Sequence, residues 1–378
     1  MSASAEKQQR FHFIDGMRAI ACMMVILHHA VSANVARFLM SHGFIKFGEF
    51  FWNLPGSGVD LFFVISGLVL LRPYLRNERK FDTLIYLKKR FIRIYPTYFA
   101  ALLFGAAVIW YINSFPTWYN EKGIYVIFSV RTTLMQALLF NVDGIYYNLA
   151  WWSVQVEAVF YLLVPLLIVF FPRSDKLNNS KILMIIIGCM IASLGLQLLL
   201  DRYFPILYSY HDIVLNMGRI IDYPVCFLLG MFLAAHDFSK KHAYQMLVVG
   251  TILVLMQWIY KPAIHTGYGF VYAGLVILSF NTKSIQRFLS KPLLIWIGER
   301  SYSLFLVHFS VFYLVNNLTA RITTHRGFEY ALITRGVGVP LSFIAAMLLF
   351  HFVERKFARG LITDDMFWPW QTSKMKKA

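Results

Sequence analysis

Long apolar runs separated by short polar segments dominate this chain. Ten runs, at 14–33, 55–71, 94–112, 150–171, 182–199, 220–236, 243–260, 264–281, 301–318 and 336–353, read as membrane-spanning helices. The second is the weakest. Its charge-free stretch from Leu61 to Leu71 is short, and Pro55, Gly56 and Gly58 predict a bent or re-entrant start, tolerated where protein or water covers the backbone. The expected fold is all-α and integral to the membrane: a bundle of about ten transmembrane helices around a central polar cavity. The pattern implies one domain, 1–353, followed by a basic tail, 354–378, whose Lys374-Met375-Lys376-Lys377 suits anionic lipid. The longest outer loop, 113–149, is aromatic, and Ile124 to Leu139 is expected to lie as a helix on or in the membrane.

Composition supports this class. Hydrophobic residues make up 58% of the chain and charged ones 15%, with a mean hydropathy of +0.57, outside the range of soluble domains. A net charge of +17 would suit nucleic acid, but its distribution points to the bilayer instead. With the N-terminus inside, cytoplasmic segments hold 25 Lys and Arg, outer segments hold 10, and Arg18 within a span completes the 36. That is the positive-inside pattern of an even number of spans with both termini cytoplasmic. Lys7 and Arg10 precede the first span with no small-residue cleavage site after it, so this span is expected to stay. Cys22, Cys189 and Cys226 lie in apolar runs with neither metal nor disulfide spacing. Cys22 has no evident neighbour to make it a nucleophile.

The candidate chemistry is the set of polar groups inside apolar runs, which are costly there and therefore functional candidates. Arg18 and His29 are eleven residues apart, within roughly 20° of one helix face and about 16 Å apart along the axis. His28 lies about 80° off that face. A histidine tied to a neighbouring helix is the equal alternative. Glu157 and Ser153 share a face at i, i+4, in the fourth span; a structural anchor is the alternative for Glu157. Asp60 opens the second span, where a helix-capping role competes. By span direction His29, Asp60 and Glu157 fall at one depth, and histidine with a carboxylate makes a general-base pair. Arg90 and Arg93, at i, i+3, form a two-guanidinium face suited to phosphate; topology anchoring is the alternative. His308, about 12 Å above Arg300 on a helix, either lines the same cavity or ties helices together. Arg219 with Asp222 reads as an ion pair, and Glu354-Arg355 as a cytoplasmic cap. There is no P-loop, dinucleotide fingerprint, zinc motif or GxSxG elbow, and no metal is expected.

Five stretches are specific in combination. They are Asp15-Gly16-Met17-Arg18 with His29; Gly58 to Gly67; Arg90 with Arg93; Trp152, Ser153, Glu157, Phe160, Tyr161 and Pro165; and Ser301 to His308. In this order, from Phe13 to Glu354, they resemble the membrane-bound acyltransferase-3 family, which includes bacterial O-acetyltransferases acting on surface polysaccharides. Lys356 stands where that family often has proline, and the chain resembles the stand-alone type without a hydrolase-like domain after the last span.

The resemblance implies acetyl-CoA as donor, its phosphates on Arg90, Arg93 and Arg18, with pantetheine along the first helix. It implies His29 as general base or transient acyl carrier, and Glu157 or Asp60 as the group that orients it. Trp152, Ser153 and His308 fall on the substrate side. The implied acceptor is a sugar hydroxyl of an exopolysaccharide, O-antigen, lipid-linked sugar or similar glycan, at a bacterial inner membrane, with glycan-assembly proteins as expected partners. A transporter or proton-coupled permease is the competing class, because buried His, Arg and carboxylates also mark transport paths. A non-catalytic assembly role leaves the polar constellation unexplained.

Overall fold

The computed structural model describes residues 11–76, 78, 80–119, 126–139, 146–170, 223–256, 263–323 and 328–360, and the isolated positions 184, 188 and 191. Helices and their connections account for all of these, with no strand among them. Among the described residues six helical stretches are long and apolar enough to cross a membrane: His12–Ser32, Ile45–Leu75, Thr83–Ser114, Leu149–Ile168, Ser301–Ile322 and Tyr330–Phe357. They match six of the ten expected spans. Three more expected spans appear as helices Pro224–Ala235, Lys240–Met256 and Ala263–Asn281. The fifth, apart from three positions, lies outside the described residues, as do Arg219, Asp222, Cys189 and the Lys374–Lys377 tail.

Helix α1 (His12–Leu27) runs into a π-turn, His28–Ser32. Helices α2 (Ala33–Ser41) and α3 (Ile45–Gly56) follow, and α3 meets α4 (Gly58–Leu75) at Ser57. The bend expected at Pro55 and Gly56 is therefore a junction of two helices. Helix α5 (Thr83–Ser114) starts on an Asp82 cap, whose carboxylate accepts from the Ile85 amide at 2.8 Å. The loop helix is α6 (Val130–Ala137), shorter than the sequence suggested. Next come α7 (Trp152–Phe170), α8 (Pro224–Ala235), α9 (Lys240–Met256) and α10 (Ala263–Asn281). Short helices α11 (Lys283–Leu289) and α12 (Pro292–Glu299) lead into α13 (Ser301–Ile322) and α14 (Phe328–Leu349), which ends in a second π-turn, Phe350–Glu354, and α15 (Arg355–Gly360).

Helix α13 is the axis of the bundle: 83% of its most apolar stretch is buried, against 17% for the span that follows. Helix α1 packs on it and on α4 and α12. Without a hydrophobic drive between helices in lipid, close approach depends on small residues. Gly67 of α4 and Gly230 of α8 show this. A Cβ on Gly67 would strike the Phe227 carbonyl, and one on Gly230 the Val64 carbonyl. That crossing explains the glycine closing the Gly58–Gly67 stretch, and it holds α4 where Asp60 meets the α8–α10 side. Beyond the spans, Arg76 clamps this end by a two-pronged bond to Asp237 at 2.9 and 3.0 Å and a bond from Nε to the Ala234 carbonyl at 2.9 Å. The guanidinium holds the Asp237 carboxyl below the usual carboxylate range.

Candidate active site

The expected polar groups divide between two cavities. An arginine cavity of about 110 Å³ is lined by Arg18, Arg90, Arg93, Ser66, Ser153 and Glu157, among others. A histidine cavity of about 710 Å³ is lined by His28, His29, Asp60, Trp152, His265 and Arg335, among aromatic walls. Val59 and Phe305 line both, so they form the shared partition. The described residues line two separate chambers where the sequence reading expected one central cavity. Arg18 on α1 and His29 on the π-turn that follows line different chambers, on opposite sides of the partition.

His29 sits on the π-turn, a local widening that often marks functional positions. Its Nδ1 lies 2.9 Å from Nε2 of His308, with the rings stacked at 26°. His308 is fully buried, and its Nδ1 lies 2.8 Å from the Phe305 carbonyl and 3.2 Å from that of Leu304. Carbonyl oxygens only accept, so Nδ1 of His308 carries the hydrogen. In neutral His308, Nε2 then accepts, His29 donates through Nδ1, and the lone pair of His29 falls on Nε2. Of the two readings of His308, cavity wall or helix tie, the geometry gives a third: a group that fixes the tautomer of His29. His28 also lines the histidine cavity, its ring edge-on to Trp52 at 5.1 Å. The rotation that separates the two histidines on a straight α-helix does not carry through a π-turn.

Neither carboxylate expected beside His29 is bonded to it: Asp60 shares its cavity but pairs with His265, and Glu157 lines the other chamber. Asp60, with no exposure, has Oδ1 3.0 Å from His265 Nδ1 and 3.5 Å from Cys226 Sγ. It lies in the first turn of α4, so the capping alternative had the right location but not the partner. Glu157 accepts from Ser66 Oγ at 3.1 Å and from the Tyr161 hydroxyl, and faces the arginine cavity with Ser153. Ser153 Oγ donates to the Ala150 carbonyl at 3.2 Å. Its neighbour Trp152 faces the other chamber, packed on Tyr223 with centroids 5.1 Å apart.

In the arginine cavity, Arg93 is ion-paired to Glu354 at 3.0 Å, and Ser303 Oγ donates to the same carboxylate at 2.6 Å. Glu354 is 1% exposed, so it is an interior partner and not the cytoplasmic cap expected at the end of the last span. Arg90 lies over the Tyr86 ring, 5.5 Å from its centroid, with Nε buried and unbonded. Three guanidiniums around one chamber, one with an orphaned N–H, fit an anionic donor such as a coenzyme A thioester. At about 110 Å³ the chamber is smaller than a usual ligand pocket of roughly 300 Å³ or more, so it takes only a narrow part of such a molecule. Among the described residues no group of three or more His, Cys, Asp or Glu could hold a metal ion.

Sequence reasoning missed His265 and Arg335. His265 is the second residue of the run assigned to 264–281, where a titratable group in an apolar stretch was the available signal. Arg335 stands one position before the run assigned to 336–353; the described span Tyr330–Phe357 encloses it.

A family model described as an acyltransferase domain matches residues 11–353. O-acetyltransferase OatA of Staphylococcus aureus strain NCTC 8325 / PS 47 is 29% identical over 346 residues, covering 80% of this chain and 51% of that protein. A provisionally assigned O-acetyltransferase of S. aureus strain COL is 25% identical over 386 residues, covering 92% and 57%. The chain spans about half the length of the curated relatives it matches. No solved structure matches it.

Proposed function

This chain belongs to the acyltransferase family whose model spans residues 11–353, and on that premise we propose that it is an O-acetyltransferase that carries acetyl groups from cytosolic acetyl-CoA to a hydroxyl of a surface glycan. The observation that carries this reading is the abutment of the arginine and histidine cavities at Val59 and Phe305. Donor phosphates rest on Arg18, Arg90 and Arg93 at the cytoplasmic mouth, and the acceptor enters the larger chamber from the opposite face. The acceptor oxygen bonds to the thioester carbonyl carbon as its proton passes to Nε2 of His29. The carbon–sulfur bond then breaks, and His29 returns the proton to the departing sulfur. His308 holds His29 in the tautomer that receives this proton. Asp60 with His265 forms a histidine–carboxylate pair on the acceptor side. Glu157 shapes the charge of the donor side, and Trp152 supplies an aromatic face to the sugar.

In this reading the chain makes ten crossings of the bacterial inner membrane with both termini cytoplasmic, and glycan-assembly proteins deliver the acceptor. Reporter fusions at Lys80 and Ala378 should both read cytoplasmic; a periplasmic signal at either rejects that topology. The activity is tested by supplying labelled acetyl-CoA to the full chain in vesicles with a panel of glycans and following acetyl ester by mass spectrometry. A permease would neither consume the thioester nor form the ester.

A further inference from the structure

Arg335, partly buried near the start of α14, is a cation whose described partners are all neutral. Its Nε donates to the Ala30 carbonyl at 3.0 Å and its Nη1 to Asn316 Oδ1 at 3.1 Å. The guanidinium lies over the Phe312 ring, 5.3 Å from the centroid. Asn316 is itself held in place: its Nδ2 donates to the Tyr119 hydroxyl at 2.9 Å, and its carbonyl accepts from Tyr330 at 2.7 Å. These bonds fix the guanidinium in position without neutralising it. A partly buried charge on a candidate span is costly unless an opposite charge completes it.

The chamber that Arg335 faces has the matching imbalance. Among the described residues its lining holds Arg335 and a single carboxylate, Asp60, which is fully buried and engaged by His265. The position is also specific. Ala30, which anchors Arg335, follows His29 on the same π-turn, so the cation stands beside the group that takes the acceptor's proton. Much of the remaining wall is aromatic, including Trp152, Tyr223 and Phe309, as suits a sugar ring, and about 710 Å³ is room for more than one such ring.

We propose that Arg335 forms an oxyanion subsite for the acceptor, so that the glycan acetylated by this protein carries a carboxylate or phosphate close to the reacting hydroxyl. This rests on the acetyl-transfer reading, which it narrows to anionic acceptors. Guanidinium is suited to the task because its planar fork meets a carboxylate or phosphate with paired N–H groups. The neutral partners leave that role open, whereas a paired carboxylate would have closed it.

The test uses the full chain in lipid nanodiscs and three probes: a hexuronate-containing oligosaccharide, its carboxyl-reduced neutral counterpart, and a neutral oligosaccharide on a lipid phosphate. Probe binding without acetyl-CoA and acetyl transfer with it are both measured. Wild type should favour one of the oxyanion-bearing probes over the neutral one by about tenfold or more in binding and in kcat/KM. The preferred probe tells sugar carboxylate from lipid phosphate. Arg335→Gln should bring that ratio to near one through KM, and Arg335→Lys should restore part of it. Acetyl-CoA binding and thermal unfolding of each variant separate loss of the subsite from loss of the fold. No preference in wild type for either oxyanion-bearing probe overturns the proposal, as does an equal loss on anionic and neutral probes in Arg335→Gln. Arg335-dependent binding without any acetyl transfer would instead uphold the subsite and reject the acetyl-transfer reading.

Discussion

Nδ1 of His29 lies 2.9 Å from Nε2 of His308, so one imidazole steers another where the sequence pointed to a carboxylate. A carboxylate would orient His29 and stabilise its cation; His308 orients it without adding charge. The arrangement suits a base that must start neutral, beside a guanidinium, in an enclosed chamber.

His29→Ala should reduce acetyl transfer by roughly two to four orders of magnitude, the usual contribution of a general base. His308→Ala should cost less, about ten- to a hundredfold, because His29 remains but its tautomer is no longer imposed. His308→Asn offers a carbonyl oxygen as replacement acceptor and should recover part of that loss. Donor binding should be unchanged in all three. His28→Ala should be milder than His29→Ala; a folded His29→Ala protein with a normal rate would show that the wrong residue has been chosen.

The second pair makes a separate prediction. Asp60→Asn and His265→Ala should each lower transfer, and the double variant should be no worse than the more damaging single one, since the two act as a unit. The KM of acetyl-CoA should not move, because both residues lie in the histidine chamber. Fully additive losses, or a shared loss of thermal stability with normal turnover, would mean that the pair only braces α4 against α10.

The arginines should separate by readout. Arg90, with an unbonded Nε, is free to take the donor; Arg90→Ala should weaken acetyl-CoA binding with little change in unfolding temperature. Arg93→Ala removes the partner of a carboxylate that is 1% exposed, so it should lower stability as well, by about 3–5 kcal/mol if Glu354 stays ionised. Arg93→Ala with Glu354→Gln should regain much of that stability but not the donor affinity. Equilibrium binding of acetyl-CoA and thermal melts, run on the same preparations, check both. Wild-type donor affinity in both single alanine variants would reduce these arginines to topology signals. Lysine at either position should rescue only in part, because a point charge lacks the bidentate fork.

What the sequence could reveal here follows from what kind of fact each feature is. Apolar run lengths identified six stretches that the structure also has as long helices, because that signal is local and repeated. Arg18, Arg90 and Arg93 were found as intramembrane or near-membrane cations, and one chamber brings them together. Partners were not legible. The bond between His29 and His308 spans 279 positions, and that between Asp60 and His265 spans 205. No periodicity relates such residues; only packing of α1 on α13 and of α4 on α10 does. The assignment of depth also misled. His29 and Glu157 were placed together by span direction, yet Phe305 and Val59 stand between their chambers. Arg335 escaped because a boundary drawn one residue late put a residue of the described helical stretch Tyr330–Phe357 in a loop.

The partition itself is the last point at which the reading can fail. Phe305 is 7% exposed, faces both chambers, and packs edge-on against Phe62 with centroids 6.1 Å apart. If the thioester reaches His29 by passing this ring, the ring must also keep water from the acetyl group when no acceptor is bound. Removing it should then raise hydrolysis of acetyl-CoA in the absence of glycan, while transfer falls because the acyl group is lost to water. Phe305→Ala leaves a cavity and should cost about 3–5 kcal/mol of stability, so Phe305→Leu, which keeps most of the bulk, serves as the milder partner. The expected order of acceptor-free hydrolysis is Phe305→Ala above Phe305→Leu above wild type, measured as thiol release at a temperature where all three are folded. Adding His29→Ala to Phe305→Ala should suppress the leak, since the same base would activate the water. Unchanged hydrolysis in a folded Phe305→Ala protein that still binds acetyl-CoA would mean that the acetyl group does not travel between these two chambers.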